Sequence, residues 1–337
     1  MKDRVWIAWE KQRRTIELSK MLSCELHLLD YMGYSRYLKC IASTFRILYK
    51  HRSSIIFVQN PSMVLAALAC IFKKITRSVV VVDRHTTFRL GKSAEISLEY
   101  LVFKVFNRFT LQNADLTIVT NEELAKIVKN NKGNPFILPD KLPTIIRRRE
   151  IKLIAKHNIL LIASFAQDEP IIAAIEAMSK LKKYCKHEVT LYVSGNYKKL
   201  PESVIADVPD NIVFTGYLND SDFENMLHAV DAIMVLTTAE SCMLCGCYEA
   251  VAASKPLITS NKKVLKKYFS GCVFVENTSS GICDGIIQLF NNYSIYLENI
   301  VNLKTELNKT WSMLCEDLTN KLNLIVDKRA NHEAFKN

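Results

Sequence analysis

Side chains that could do chemistry together are concentrated in one stretch, "TTAESCMLCGCYEAVAASKP", residues 237–256. The stretch contains the thiols of Cys242, Cys245 and Cys247 and the carboxylates of Glu240 and Glu249. Thiolates bind zinc, but a zinc or iron–sulfur site needs about four ligands, and the fourth would have to come from elsewhere in the chain. A nucleophilic cysteine would need a positioned base, and none is identifiable. We therefore interpret the cysteines as small packing residues and predict no metal site.

The same stretch has the pattern of an anion-binding loop. A continuous apolar run predicts a strand over 232–238, and a helix is predicted over about 246–253. The N–H groups at the start of a helix and its dipole attract phosphate, and glycine lets the backbone approach closely. Glu249 is placed to accept hydrogen bonds from both hydroxyls of a ribose, as an acidic residue does in dinucleotide-binding domains. The predicted nucleotide-binding residues are Thr237, Thr238, Ser241, Gly246 and Glu249.

Strands and helices alternate along the chain and must position this loop. Strands are predicted at 4–9, 24–30, 54–60, 78–83, 115–120, 159–165, 189–195, 211–217, 232–238, 255–260 and 272–276. Apolar strands separated by helix-length segments indicate parallel sheets covered on both faces. After the fifth strand, a helix capped by Asn121 is predicted. The predicted fold class is α/β, with two Rossmann-like domains in tandem that face each other across a cleft.

The length of 337 residues fits two domains. Prolines and arginines in "NPFILPDKLPTIIRRRE" predict a linker near residues 140–152. We predict a first domain over 1–148 that faces the acceptor or membrane and a second, nucleotide-binding domain over 152–295. Residues 296–337 are predicted to form a C-terminal helix and tail, for which packing back on the first domain is one arrangement.

The excess positive charge lies entirely in the first half. The net charge is +11, whereas residues 1–150 hold 26 Lys and Arg against 13 Asp and Glu. Such asymmetry indicates an anionic partner for that half: a membrane surface, a nucleic acid or a phosphorylated substrate. Nucleic acid is disfavoured, because no RNA-recognition or helix-turn-helix signature accompanies the charge.

One predicted helix, "YSRYLKCIASTFRILYKHR", carries a basic stripe. The stripe consists of Arg36, Lys39, Arg46 and Lys50, opposite the apolar residues Tyr34, Leu38, Ile41, Phe45 and Leu48. An ordinary amphipathic helix with a solvated basic face is one interpretation. A surface that meets anionic lipid is the other, and the charge of the whole first half favours it.

Other candidates follow strands of the first domain, where α/β proteins bind ligands. His85 lies with Asp83 just past a predicted strand, where it would act on the acceptor or sugar or simply cap a loop. Glu10 ends the first strand, and Arg13 and Arg14 at the following helix could meet a phosphate. We predict an acceptor or anion site at Glu10, Arg13 and Arg14.

The segment "NIVFTGYLNDSDFENMLHAVDAIMVLTTAESCMLCGCYEAVAASKPLITSN" resembles the donor-binding half of GT-B glycosyltransferases of the family-four (glycosyltransferase group 1) kind. The family motif has two glutamates flanking seven residues, of which the first lies near the donor sugar and the second binds the ribose. Glu249, followed by "AVAASKP", matches the second glutamate. Glu240 is the nearest match to the first, although eight residues separate the two and "SCMLCG" replaces the usual Gly-Phe-Gly.

A second departure concerns the diphosphate. The family commonly has an Arg and a Lys after the first strand of the donor domain, whereas "ASFAQDEPI" here offers Asp168 and Glu169. Helix amides, hydroxyls or a cation such as Lys198 or Lys199 would have to replace the missing pair.

The resemblance implies a particular reaction: transfer of a hexosyl group from a nucleotide-diphosphate sugar to an acceptor, with retention. The basicity of the first half suits a glycan or polyprenyl-diphosphate-linked acceptor. Glu240 and His85 would be the catalytic residues, and no cofactor or metal would be required. Polysaccharide or glycolipid assembly would be the setting. A sugar-nucleotide epimerase of the same fold and a non-catalytic partner protein are the alternatives.

Neither a secretion signal nor a membrane-spanning run is apparent in the sequence. The longest uncharged apolar stretch, "SMVLAALACIF", is far shorter than the roughly 20 residues that span a bilayer. We therefore expect a cytoplasmic protein that is peripheral on the inner face of the membrane, with its ten cysteines reduced.

Overall fold

The computed structural model describes residues 3–60, 62–76, 78–84, 98–153, 155–184 and 189–334. The chain divides into two compact units. Unit 1 comprises Met1–Lys141 together with Thr310–Asn337, and unit 2 comprises Leu142–Lys309.

Unit 1 contains a six-stranded sheet in which all neighbouring strands are parallel. Its strands are β1 (Arg4–Ala8), β2 (Glu25–Leu28), β3 (Ile55–Asn60), β4 (Val79–Arg84), β5 (Leu116–Val119) and β6 (Pro135–Ile137). The helices between them are α1 (Arg13–Met21), α2 (Arg36–Lys50), α3 (Met63–Phe72), α4 (Leu98–Asn113) and α5 (Glu122–Asn130). The strand order is β2-β1-β3-β4-β5-β6. Asn121 caps α5 as predicted, because its side chain accepts a hydrogen bond from the Leu124 N–H at 3.0 Å.

Unit 2 repeats this architecture with a second six-stranded parallel sheet. Its strands are β7 (His157–Leu161), β8 (Val189–Ser194), β9 (Ile212–Gly216), β10 (Ala232–Val235), β11 (Leu257–Ser260) and β12 (Val273–Val275). The helices are α6 (Ile171–Tyr184), α7 (Glu202–Ala206), α8 (Asp220–Ala229), α9 (Cys245–Ala252), α10 (Lys263–Tyr268), α11 (Ser279–Asn291) and α12 (Tyr293–Ala334). The strand order is β12-β11-β10-β7-β8-β9. The predicted α/β class with two parallel-sheet units is confirmed.

The apolar run of β4 shows why the strands of unit 1 have no polar alternation. All of Val79–Val82 is buried. Val80 and Val82 pack with Leu48 of α2 and Leu65 of α3, whereas Val79 and Val81 pack with Leu18 of α1 on the other face. A strand covered by helices on both faces buries every side chain, and its sequence is therefore apolar throughout.

The segment predicted as a linker near 140–152 is a packed part of unit 2. Leu142 lies in the core of this unit, and Ile145 and Ile151 pack against that core. The N–H groups of Arg148 and Arg149 both donate to the Asn225 side chain, at 2.8 and 3.0 Å. The units therefore divide after Lys141 rather than near 148–152. Strand β6, in the stretch "NPFILP", was not predicted. Its three residues are too few to show a period in sequence.

Helix α12 occupies most of the segment predicted as a C-terminal helix and tail, and it contributes to both cores. Ile300 and Leu303 pack in the core of unit 2. Leu318 and Leu322 are fully buried in unit 1, on the sheet face that also holds Leu18. None of the helices in the described part of the chain combines the length and hydropathy needed to cross a membrane.

Candidate functional site

The topology of unit 2 brings two loops together at the centre of its sheet. Strands β7 and β10 are neighbours, but the chain continues from β7 to β8 and β9 on one side and from β10 to β11 and β12 on the other. The loops that follow β7 (162–170) and β10 (236–244) therefore lie beside each other at the carboxyl edge. Open α/β sheets bind their ligands at such a switch point.

Asp168 joins these two loops. Its carboxylate Oδ2 accepts a hydrogen bond from Thr237 Oγ1 at 2.6 Å. Its backbone carbonyl accepts from the N–H of Thr238 at 2.6 Å and from the Thr238 hydroxyl at 3.1 Å. The acidic residue that departs from the family pattern thus fixes the loop after β7 to the loop after β10.

Thr237 and Thr238 were predicted to donate hydroxyl hydrogens to the nucleotide. In this structure both hydroxyls donate to Asp168, and Thr237 Oγ1 also accepts from the Ala239 N–H at 3.1 Å. Thr237 is completely buried. Its hydroxyl therefore holds the loop in shape instead of pointing a donor at a ligand.

A second network anchors Thr237 to the neighbouring strands. The Thr237 N–H donates to Ser260 Oγ at 2.9 Å, and Ser260 donates to Asn277 Oδ1 at 2.6 Å. Asn277 Nδ2 completes the ring by donating to the Thr237 carbonyl at 2.8 Å. Since Ser260 ends β11 and Asn277 follows β12, the ends of three strands are locked together.

Helix α9 begins at Cys245, immediately after the loop, and no side chain caps it. The first N–H groups of a helix have no intrahelical acceptor, and the helix dipole adds positive potential there. Glu249 is the fifth residue of α9, so it begins the second turn of the helix and not the first, as was predicted. Its side chain is half-buried. Ser241 is also half-buried, within the loop itself.

Gly246 has a different role from the one predicted. A Cβ at this position would lie 2.9 Å from Cγ2 of Val235 and 3.2 Å from Cδ1 of Ile162. The missing side chain thus faces the sheet, and the glycine allows α9 to approach β10 closely. The close approach is between helix and strand, as at the last glycine of a dinucleotide-binding motif, and not between backbone and phosphate.

Glu240, the predicted sugar-proximal carboxylate, is largely exposed and forms an ion pair. Its Oε1 accepts from Nζ of Lys262 at 2.5 Å, and the Lys262 side chain is only 15% exposed. Lys262 lies between β11 and α10, one loop away from Glu240. Lys262 was not among the predicted site residues. Its position shortly after the strand "LITS" is the sequence signal that could have identified it, because ligands bind at the ends of such strands.

A further lysine, which follows β8, contacts the loop after β7. Lys199 Nζ donates to the Ser164 carbonyl at 2.8 Å, so this proposed replacement for the family's missing bases lies beside the loop. Glu169 holds the same loop, because its carboxylate accepts from the N–H groups of Ser164 and Phe165, at 2.9 and 2.7 Å. Lys198 is exposed.

The cysteines of the loop differ in their surroundings. Cys247 is completely buried, 3.5 Å from Thr259 Oγ1, and burial raises the pKa of its thiol. Burial also raises the pKa of Cys242, which is half-buried, whereas Cys245 is exposed. The interpretation of the cysteines as packing residues thus holds for the buried Cys247 but not for the exposed Cys245. Within the described ranges, these three do not gather into a group of metal ligands.

In unit 1, Arg14 was predicted to bind an anion, and the structure contradicts this. Arg14 is 7% exposed and donates to both carboxylate oxygens of Asp83, at 3.0 and 3.1 Å, and to Asp140 at 2.6 Å. Burial opposes its charge, but Asp83 and Asp140 together raise the pKa of the guanidinium. Asp83 is itself fully buried inside β4, not past the strand end. The charge of Arg14 is therefore neutralised within the fold.

Glu10 is half-exposed and forms an ion pair with Arg36. Glu10 was predicted for the acceptor or anion site and Arg36 for the basic stripe of α2. Arg36 Nη2 lies 3.2 Å from Glu10 Oε1 and donates to the Trp9 carbonyl at 3.0 Å. Arg36 consequently contributes little to a basic surface. Arg13 is exposed at the start of α1, and His85 lies outside the described residues.

Helix α2 turns only part of its apolar stripe to the core. Its buried residues are Cys40, Thr44 and Leu48, and Ile41 packs against the same core. Leu38 and Phe45, which also belong to the apolar stripe, are 73% and 45% exposed. Basic and apolar side chains share the exposed surface of α2, namely Tyr34, Tyr37, Leu38, Lys39, Phe45, Arg46, Tyr49 and Lys50.

Residues 156–292 match the family model described as glycosyl transferases group 1. No curated protein matches the chain. The resemblance to group 1 glycosyltransferases predicted from the donor-half motif is thereby confirmed for this region, which contains both loops at the switch point.

Solved structures show the same fold over the whole chain. Sucrose-phosphate synthase from Thermosynechococcus elongatus has a TM-score of 0.76 at 12% identity, covering 97% of this chain and 100% of that one. Alr3699/HepE from Anabaena, in complex with UDP-glucose, has a TM-score of 0.69 at 11% identity, with 94% and 91% covered. MnaA from S. aureus, with UDP, has a TM-score of 0.64 at 12% identity, with 96% and 97% covered. At these identities the likeness shows a shared fold.

Proposed function

We propose that this protein binds a nucleotide-diphosphate sugar where β7 and β10 end and transfers the sugar to a glycan or lipid-linked acceptor. The observation that carries the proposal is the joined pair of loops at the switch point of unit 2, held by Asp168 and followed directly by the start of α9. The likeness of the fold to proteins whose structures contain UDP or UDP-glucose supports uridine as the base.

The proposed roles follow from position. The first N–H groups of α9 would meet the diphosphate, and Glu249 would accept from the ribose hydroxyls. Lys262 and Lys199, which lie at the two loops, are the cations proposed to replace the family's missing pair. Preorganised donors and cations of this kind stabilise the charge that develops on a leaving diphosphate.

Glu240 and His85 remain the proposed catalytic residues, and transfer is proposed to retain the configuration of the sugar. Nuclear magnetic resonance of the product would determine the anomeric configuration. Inversion would contradict the retaining mechanism and leave the donor site unaffected.

The acceptor is proposed to be a polyprenyl-diphosphate-linked glycan or a glycolipid at the inner face of a membrane. Support comes from the basicity of residues 1–150 and from the exposed face of α2, where Lys39, Arg46 and Lys50 lie among exposed aromatic side chains. Cations attract anionic lipid, and tyrosine and phenylalanine side chains suit the interface between headgroups and acyl chains.

Calorimetric titration with UDP and GDP tests the donor site. Wild type is expected to bind one of them with micromolar affinity, and Glu249→Ala should weaken binding by about tenfold or more, or ~1.4 kcal/mol. Glu298→Ala, an exposed glutamate on α12, is the matched control and should bind as wild type does. Absence of binding to either nucleotide would overturn the proposal, and conversion of a donor sugar without an acceptor would indicate an epimerase instead.

Flotation with anionic vesicles tests the membrane surface. The double variant Lys39→Ala/Arg46→Ala should bind about tenfold or more weakly, since each well-placed cation contributes about 1 kcal/mol. Lys152→Ala/Lys156→Ala removes two exposed lysines from unit 2 and should have no effect. Equal loss in both variants would show that binding depends on net charge and not on α2.

A further inference from the structure

Three side chains able to bind a metal ion meet at the edge of the unit 1 sheet. They are Glu25, His27 and His51, and one ligand atom from each lies within 4.8 Å of the others. We call them the edge cluster. It is the one such group of three or more among the residues that the structure describes.

The fold itself brings the edge cluster together. Strand β2 is the edge strand of its sheet, and Glu25 and His27 are two residues apart, so their side chains share a face. Helix α2 follows β2 and ends at Lys50, and His51 is its C-terminal capping residue. His51 therefore reaches the same face of β2 from the end of the returning helix.

The contacts within the edge cluster leave both histidines incompletely satisfied. Nε2 of His27 lies 3.1 Å from Glu25 Oε1, and Nε2 of His51 lies 3.7 Å from Glu25 Oε2. Both Nε2 atoms are inaccessible to solvent, and neither forms a hydrogen bond with any residue in the described part of the chain. His51 is only 8% exposed. Buried polar atoms normally have a hydrogen-bond partner. Two buried imidazole nitrogens that lie close to one carboxylate without such a bond are consistent with a site for a further ligand.

We propose that Glu25, His27 and His51 form a binding site for a divalent transition-metal ion, with Zn²⁺ as the best fit. Two imidazole nitrogens and one carboxylate oxygen are ligands that zinc prefers, and a fourth position would hold water. Ligand atoms around a tetrahedral zinc ion, at about 2.0–2.1 Å from it, are about 3.3 Å apart. The observed separations approach this value, so small side-chain rotations would close the site.

A neighbouring cation bears on this proposal. Lys50 Nζ lies 3.7 Å from Glu25 Oε1 and is the cation that a metal ion would have to displace. Removal of Lys50 should therefore strengthen metal binding.

A metal ion here would tie the edge strand to the end of α2. The site would be structural or regulatory, because it lies in unit 1 while the proposed donor site lies in unit 2. It does not depend on the proposed function, and either proposal can fail without the other.

The experiment uses the full chain, stripped with a chelator and titrated with Zn²⁺ by calorimetry and with Co²⁺ by visible absorption. We expect one equivalent to bind, with the ligand-field bands of tetrahedral cobalt and without thiolate charge-transfer absorption. His27→Gln and His51→Gln should each weaken binding by about tenfold or more, as loss of a zinc ligand requires. Lys50→Met should strengthen it, and this variant leaves every proposed ligand in place.

Two controls make the result specific. His228→Gln alters a half-buried histidine of unit 2 whose Nε2 also lacks a hydrogen-bond partner among the described residues, and it should not change metal binding. Cys242→Ser/Cys245→Ser removes the two more accessible thiols of the cysteine-containing loop and should likewise have no effect. The proposal is overturned if wild type binds neither ion at micromolar concentration, or if binding survives His27→Gln/His51→Gln and is lost in the cysteine variant.

Discussion

The carboxyl edges of the two sheets use charge in opposite ways. In unit 1, a buried guanidinium from α1 is neutralised by Asp83 of β4 and by Asp140. In unit 2, Asp168 meets only hydroxyl and N–H groups among the described residues, and the lysines at the loops, Lys199 and Lys262, contact a backbone carbonyl and an exposed glutamate. One edge is thus closed by a buried ion cluster, whereas the other is held by neutral donors and keeps its cations near the surface. The same architecture supports a structural cluster in one unit and the proposed binding edge in the other.

The position of the tryptophans allows the two units to be followed separately. Trp6, Trp9 and Trp311 are the three tryptophans of the chain, and all three belong to unit 1. Tryptophan fluorescence therefore reports the unfolding of unit 1, and far-ultraviolet circular dichroism reports both units.

The largest effect should come from breaking the closed edge. Arg14→Ala removes the guanidinium that pairs with the buried Asp83, and loss of one partner of a buried pair costs about 3–5 kcal/mol. The tryptophan transition in urea should shift accordingly, while UDP affinity at low denaturant stays unchanged. Arg13→Ala, the exposed neighbour, should change the free energy of unfolding by less than about 0.5 kcal/mol. A smaller shift for Arg14→Ala than for Arg13→Ala would refute a structural role for the ion cluster.

A smaller loss of stability is expected from a substitution where α9 packs on the sheet of unit 2. Gly246→Ala would press a methyl group against Val235 and Ile162, and overpacking typically costs about 1–3 kcal/mol. Alanine is otherwise the better helix former by about 1 kcal/mol, so a net stabilisation would show that α9 has room to move. The circular dichroism transition measures the change, and the tryptophan signal should respond less.

Loss of the Asp168 charge, which joins the two loops of unit 2, should lower the stability of this unit by a similar or smaller amount. Asp168→Asn removes the charged acceptor of the Thr237 hydroxyl while it keeps the backbone carbonyl that Thr238 uses. Hydrogen bonds to charged groups contribute about 1.5–3 kcal/mol, and part of that should persist through the amide oxygen. We expect lower stability of unit 2 together with weaker UDP binding. Unchanged UDP affinity in a destabilised variant would show that the hydrogen bonds of Asp168 stabilise unit 2 without contributing to the donor site.

The smallest effect concerns His228 in unit 2. Burial lowers the pKa of His228 below the ordinary value of 6.5, with Lys255, Arg147 and Lys304 adding to this and a backbone hydrogen bond opposing it. The unfolded chain therefore takes up the proton more readily. The stabilising contribution is complete above about pH 6.5 and is lost as the pH falls through that value toward the lower pKa of the folded state. His228→Gln should lose less stability than wild type between about pH 7 and 5, and equal losses would contradict the shift.

Several features of this protein could be predicted from sequence because they arise from local patterns. Apolar runs such as "VVVV" identify parallel strands covered on both faces, and Asn121 before two glutamates identifies a helix start. The motif with Glu249 and "AVAASKP" identified the resemblance to group 1 glycosyltransferases that the family model finds over residues 156–292. A three-residue strand such as β6 carries too few residues for a pattern, and it was missed for that reason.

Residue type and spacing determined most of the order of strands and helices, the resemblance to group 1 glycosyltransferases and the position of the α9 loop. Only the tertiary structure decided which charged and polar groups meet: Arg14 with Asp83, Glu10 with Arg36, Asp168 with Thr237, and the edge cluster. These partners are far apart in sequence or belong to different elements, so no local period relates them. Whether a charge binds a ligand or stabilises the fold depends on its neighbours in space, and those are fixed only when the sheets and helices pack.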